Sequence, residues 1–127
     1  MTTIGYVMAG LLGIGIIVLG ARFHWVPTAA AAGYGVPIGA PGSRPERPIA
    51  AYLEIKAIRD IVSGLVVIVL IVAQEPTLLA WVLLAETLTP LADAAIVLRH
   101  GGSRGQAYGI HGVTVVFMLI TVALLLV

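Results

Sequence analysis

The chain contains no cysteine. That absence removes disulfides, thiolate catalysis, iron–sulfur ligation and cysteine-based zinc sites together. It is also poor in charge. Only 10% of its 127 residues are Asp, Glu, Lys or Arg, where a soluble domain carries about a quarter. A net charge of +1 leaves no basic face of the kind a nucleic-acid partner demands, so none is expected. Standard catalytic and cofactor motifs are missing as well, including HExxH and the Walker loop. Gly10-Leu-Leu-Gly13-Ile-Gly15 is not a dinucleotide fingerprint, because no strand precedes it and it lies inside an apolar stretch. No basic n-region marks Met1–Ala21 as a signal peptide, and the segment is long enough to span a bilayer, so a retained first helix is expected.

What is present is apolar. Hydrophobic residues make up 60% of the chain, and mean hydropathy is strongly positive. Four apolar stretches stand out, Thr3–Ala21, Ile61–Ala73, Leu78–Leu98 and Tyr108–Val127. They predict an all-α fold: one domain over residues 1–127, a four-helix transmembrane bundle with spans near 3–22, 50–73, 77–99 and 106–127. The seven basic residues are Arg22, Arg44, Arg47, Lys56, Arg59, Arg99 and Arg104. All lie in or beside the first and third connections, which share a side. By the positive-inside rule the connections 23–49 and 100–105 face the cytoplasm of a multi-pass cell-membrane protein, and both termini lie outside.

Local signals fill in the elements. Tyr6, Gly10, Gly13, Ile17 and Gly20 form a narrow small-residue face on the first span, suited to close helix packing. Pro27 to Gly33 reads as one or two helical turns stopped by glycine. Prolines and glycines follow as far as Pro48, and the apolar content of Ala29–Ile38 predicts a connection folded back over the bundle as a lid. The Ile61–Ala73 stretch covers only about 20 Å of a core about 30 Å thick. The second span must therefore begin earlier and draw Arg59 and Asp60 into the membrane. In the third, Glu86 lies about 15 Å deep; Glu86, Thr89 and Asp93 share a face, and Pro90 frees the Glu86 carbonyl and kinks the helix. In the fourth, Tyr108, His111, Val115 and Met118 share a stripe.

The ionisable residues that these spans carry inward are Arg22, Glu54, Lys56, Arg59, Asp60, Glu86, Asp93 and His111. An unpaired ion at membrane depth costs about 2.5–3.5 kcal/mol even on the lenient insertion scale. Four short helices enclose one interior, so these groups are expected to meet in a polar pocket under the lid. Structural alternatives exist for each. Arg59 could pair with Asp60 or Asp93, Arg22 could snorkel, Lys56 and Glu54 could be interfacial, and His111 could be a hydrogen-bonded core residue. His111, Asp93 and Glu86 could also bind a metal, or His111 a heme, but no spacing requires either, and no metal or cofactor is expected.

Ala51–Asp60 (AYLEIKAIRD), Asp93–Gly101 (DAAIVLRHG) and Gly109–Gly112 (GIHG), together with Gly20-Ala-Arg22 and Ala32–Pro37 (AGYGVP), cover much of the chain. On these segments it resembles a family of small four-helix membrane proteins of unknown function from actinobacteria and filamentous fungi. Their architecture is similar to that of the DoxX quinone-linked membrane proteins. The resemblance implies a fold and a location, not a reaction.

The pattern points first to an intramembrane enzyme doing cofactor-independent acid–base chemistry, such as isomerisation, cyclisation or epoxide opening, on a lipophilic small molecule. Glu86, Asp93, His111 and Asp60 are the candidate catalytic groups. Arg22, Arg59 and Lys56 would steady negative charge, with Tyr108 and Trp25 as further ligand contacts, Trp25 also serving as an interface anchor. The alternative is an oligomeric transporter or accessory subunit that uses the same charges as a proton or anion relay. In that case the glycine face of the first span would bind a partner or a second copy.

Overall fold

The computed structural model describes residues 2–127, all helix, turn or irregular chain and without a strand among them. Helix α1 spans Thr2–Trp25, and a short α2 spans Pro27–Tyr34. Helix α3 is Arg47–Val72, α4 is Pro76–Glu86 and α5 is Leu88–Arg99. A short α6, Arg104–Gln106, leads into a π-helical turn, Ala107–Gly112, and then α7, Val113–Leu126.

Three runs are long and apolar enough to cross a membrane: Thr2–Trp25, Pro76–Arg99 and Arg104–Leu126. Where the sequence predicts four such spans, α3 differs. It is 26 residues long, but Arg47, Glu54, Lys56, Arg59 and Asp60 crowd residues 47–60, and only the remainder is free of charge.

Helix α1 packs most extensively on α3, and α4 packs on α7, while α1 also meets α7 and α3 meets α4. The apolar core joins Ala9, Val67, Leu79, Leu83, Met118 and Leu125 near the ends that carry the N-terminus, the Gln74–Pro76 turn and the C-terminus. A second core, Phe23, Ala30, Ala31 and Ala57, lies at the opposite end under α2.

Glycine sets the α1–α3 approach. A Cβ on Gly20 would stand 2.7 Å from the Ala57 carbonyl oxygen, and one on Gly64 would strike the Gly13 carbonyl and Ile17 Cγ1, at 2.6 Å from the latter. The small face of the first span is thus taken up by α3 within the same chain.

The predicted helical turns after Pro27 form, but they run past Gly33 and stop at Gly35, whose φ of +108° supplies the left-handed cap. Helix α2 is tied down rather than loose. Thr28 is buried; its Oγ1 donates to the Ser43 carbonyl at 3.1 Å and accepts from Gly42 N–H at 3.0 Å. Gln106 Nε2 donates to the Ala32 carbonyl at 3.0 Å.

Candidate functional site

A cavity of about 900 Å³ runs between α1, α3, α5, α7 and the underside of α2. That lies in the range of small-molecule sites. From the α2 end inward its wall changes character. Arg22, Tyr52, Lys56 and Arg59 come first; Asp60, Asp93, His111, Ser63 and Glu86 follow; Leu11, Leu12, Val67 and Met118 form the apolar end.

The break in the α4–α5 run places the two carboxylates. Pro90 has no N–H for the Glu86 carbonyl, and the helix is interrupted at Thr87, whose hydroxyl turns back to the Leu83 carbonyl at 2.8 Å. Glu86 and Asp93 both reach the cavity with Thr89, as their shared face predicts. Ser63 donates to Glu86 Oε1 at 2.7 Å across α3 and α4. The Tyr34 hydroxyl donates to Asp93 Oδ2, joining α2 to α5.

His111 is 3% exposed and sits in the π-helical turn, a distortion that often marks functional positions. Its Nε2 lies 3.0 Å from the Tyr34 carbonyl oxygen. A carbonyl can only accept, so Nε2 carries a proton, and the neutral form of the ring would keep a lone pair on Nδ1. No sealed side-chain nitrogen or oxygen lacks a partner among the described residues, and His111 lines the cavity; Nδ1 therefore borders the open space. The Tyr34 and His111 rings meet edge to face, 4.4 Å between centroids. Burial, and then the Asp93 carboxylate, push the Tyr34 phenol far above its ordinary value, so it stays a donor.

Lys56 Nζ bonds Asp60 Oδ2 at 2.6 Å and lies 4.6 Å from the centroids of both the Phe23 and Tyr34 rings. It is the only ion pair among the described residues. The predicted pairing of Arg59 with Asp60 or Asp93 is not formed, because Lys56 already occupies Asp60 from one turn away and Tyr34 occupies Asp93. Arg22 and Arg59 instead line the cavity as exposed, unpaired cations.

Two expected ligand contacts fall outside. Trp25 is 75% exposed at the end of α1, beyond the cavity. Tyr108 is 59% exposed; the wider π-helical turn rotates it away from His111, with which an α-helix would have aligned it. Glu54 is exposed and also lies off the cavity wall. Among the described residues no three His, Asp or Glu side chains are grouped to hold a metal ion.

Tyr34 is the participant that residue depth does not single out, since it belongs to a connection and not to a span. Its trace in the sequence is the Ala32–Pro37 segment inside the apolar lid. Ser63 follows Lys56 and Asp60 on one helical face, at steps of four and three.

Residues 13–125 match the family described as a domain of unknown function, DUF4267, and the chain belongs to that family. The match brings no link to DoxX. No curated protein and no solved structure matches the chain.

Proposed function

We propose that the chain is a four-helix transmembrane bundle, with α3 as its fourth span and α2 with the connection after it as a lid, which admits a lipophilic small molecule and performs acid–base chemistry on it. The observation that carries this is the convergence of Tyr34–Asp93, Ser63–Glu86 and His111 on one cavity with an apolar end. Ions and carboxylates on the lipid face would be costly, whereas a shared interior supplies partners to most of them. Orientation follows from charge. The basic residues gather at the α2 end, with Glu75 alone among charged residues at the other, so the lid faces the cytoplasm and both termini lie outside.

His111 Nδ1 takes a proton from the bound molecule, and a carboxyl group in its protonated form, Glu86 or Asp93, returns one at another carbon or oxygen; proton exchange between the resulting imidazolium and carboxylate then restores the site. The Tyr34 hydroxyl and Ser63 fix the two carboxyl groups. One proton leaves and one arrives, so isomerisation or cyclisation balances without an oxidant or a reductant. The oligomeric transporter is less well supported, because the glycine face that would have joined two copies is covered by α3.

The test is mass spectrometry of lipophilic molecules extracted from protein purified in mild detergent. A defined small molecule should be retained in proportion to protein and be converted on incubation. Extracts holding only bulk membrane lipids, from protein that converts none of the lipophilic candidates offered, would remove this function.

A further inference from the structure

We infer that the ligand of this pocket is a single-chain amphiphile with an anionic head, carboxylate or phosphate, held by Arg22 and Arg59 with its chain directed to the Leu12–Val67–Met118 end. This rests on the pocket described above and specifies what fills it.

Charge distribution along the cavity is the first support. Lys56 is neutralised by Asp60, but Arg22 and Arg59 line the wall with no carboxylate against them. Two guanidinium groups from neighbouring helices, α1 and α3, thus face one space with their donors unused, and planar guanidinium forks suit carboxylate and phosphate oxygens. Wall polarity is the second. From Tyr52 to Val67 along α3 is about 22 Å of rise, with cations at one end and aliphatic, aromatic and thioether groups at the other. A compact polar solute would leave the apolar end unfilled, and a neutral hydrocarbon would leave both arginines unused. The third is access. Leu11, Leu19, Ile55 and Ile110 border the cavity and keep substantial exposure, and the space is not enclosed. An apolar border of this kind suits entry of a chain from lipid while its head stays at the cytoplasmic interface.

The arrangement also places the reaction. Ser63, which holds Glu86, lies one helical turn, about 6 Å, inward from Arg59. With the head on the arginines, the carboxyl groups and His111 address atoms a few bonds along the chain, not the head itself.

Binding of oleate, oleyl phosphate and oleyl alcohol to the whole protein in uncharged maltoside detergent decides the matter. At least one of the two anions should bind saturably and at least tenfold more tightly than the alcohol; which one does tells carboxylate from phosphate. The double variant Arg22→Gln/Arg59→Gln should lose that preference while still binding the alcohol, and Arg22→Lys/Arg59→Lys should keep most of it. Equal binding of alcohol and anions, or an anion preference that survives the glutamine substitutions, would overturn the inference while leaving an intramembrane pocket intact. Failure of all three probes to bind would overturn both.

Discussion

Tyr34 is the residue on which the site turns, because it contacts Asp93, His111 and Lys56 from a short connecting helix. Tyr34→Phe keeps the ring and removes the one side-chain donor to the half-buried Asp93 among the described residues. It should lower stability in detergent by about 1–3 kcal/mol, whereas Tyr52→Phe, at an exposed position, should change nothing measurable; equal melting of both variants and the parent would count against the bond. The raised phenol value has a further consequence with a definite sign. Tyr34 holds its proton more tightly folded than unfolded, so its contribution to stability is complete below the ordinary tyrosine value of about 10 and is lost as the pH climbs beyond it. In a phenolate absorbance titration of the folded protein, the step near pH 10 should keep its full amplitude in Tyr34→Phe. A step reduced by one of the four tyrosines would show that Tyr34 titrates normally. At this scale the sequence was informative about charge at depth, since Asp60, Glu86, Asp93 and His111 all reach the cavity. It was silent on Tyr34, whose partner lies 59 residues away and depends on how the lid docks.

Elements explain the remaining differences. Helical periodicity assumes a regular helix, and it placed the Glu86–Thr89–Asp93 stripe correctly because Pro90 announces the distortion next to it. No residue announces the π-helical turn, and so helical periodicity puts Tyr108 on the face of His111 when it lies off the cavity wall. Pro90→Ala should restore a backbone hydrogen bond to Glu86, straighten the α4–α5 run and raise thermal stability, since an interior proline costs about 3 kcal/mol. The same change should weaken ligand retention by re-aiming Glu86; unchanged stability together with unchanged retention would separate Pro90 from the site. The glycine stripe was read correctly as a packing face, but a sequence cannot say which helix covers it. Gly64→Ala puts a methyl group into the Gly13 carbonyl and Ile17. It should cost about 1–3 kcal/mol by forcing α1 and α3 apart, measured by thermal unfolding in detergent. Gly109→Ala meets nothing within 4 Å and should be neutral or mildly stabilising.

For the molecule as a whole, the legible quantities were the helical class and the end at which the cations gather; the number of long apolar runs is three rather than the four expected, because α3 carries its charges into the run. A polar pocket under the lid was legible from the charges, but its volume was not, because it depends on α3 and α5 remaining apart at the lid end. The absence of cysteine makes orientation directly testable. In intact cells a membrane-impermeant maleimide should label Thr77→Cys and spare Pro41→Cys, and the reverse pattern would invert the bundle. The central claim, that the buried polar groups serve a ligand rather than the fold, is tested most directly by measuring melting temperature and retained lipophilic ligand on one preparation of Glu86→Gln. The prediction is a protein that melts within a few degrees of the parent and has lost the ligand or its conversion. A variant that no longer folds, or one that folds and keeps both ligand and turnover, would contradict it.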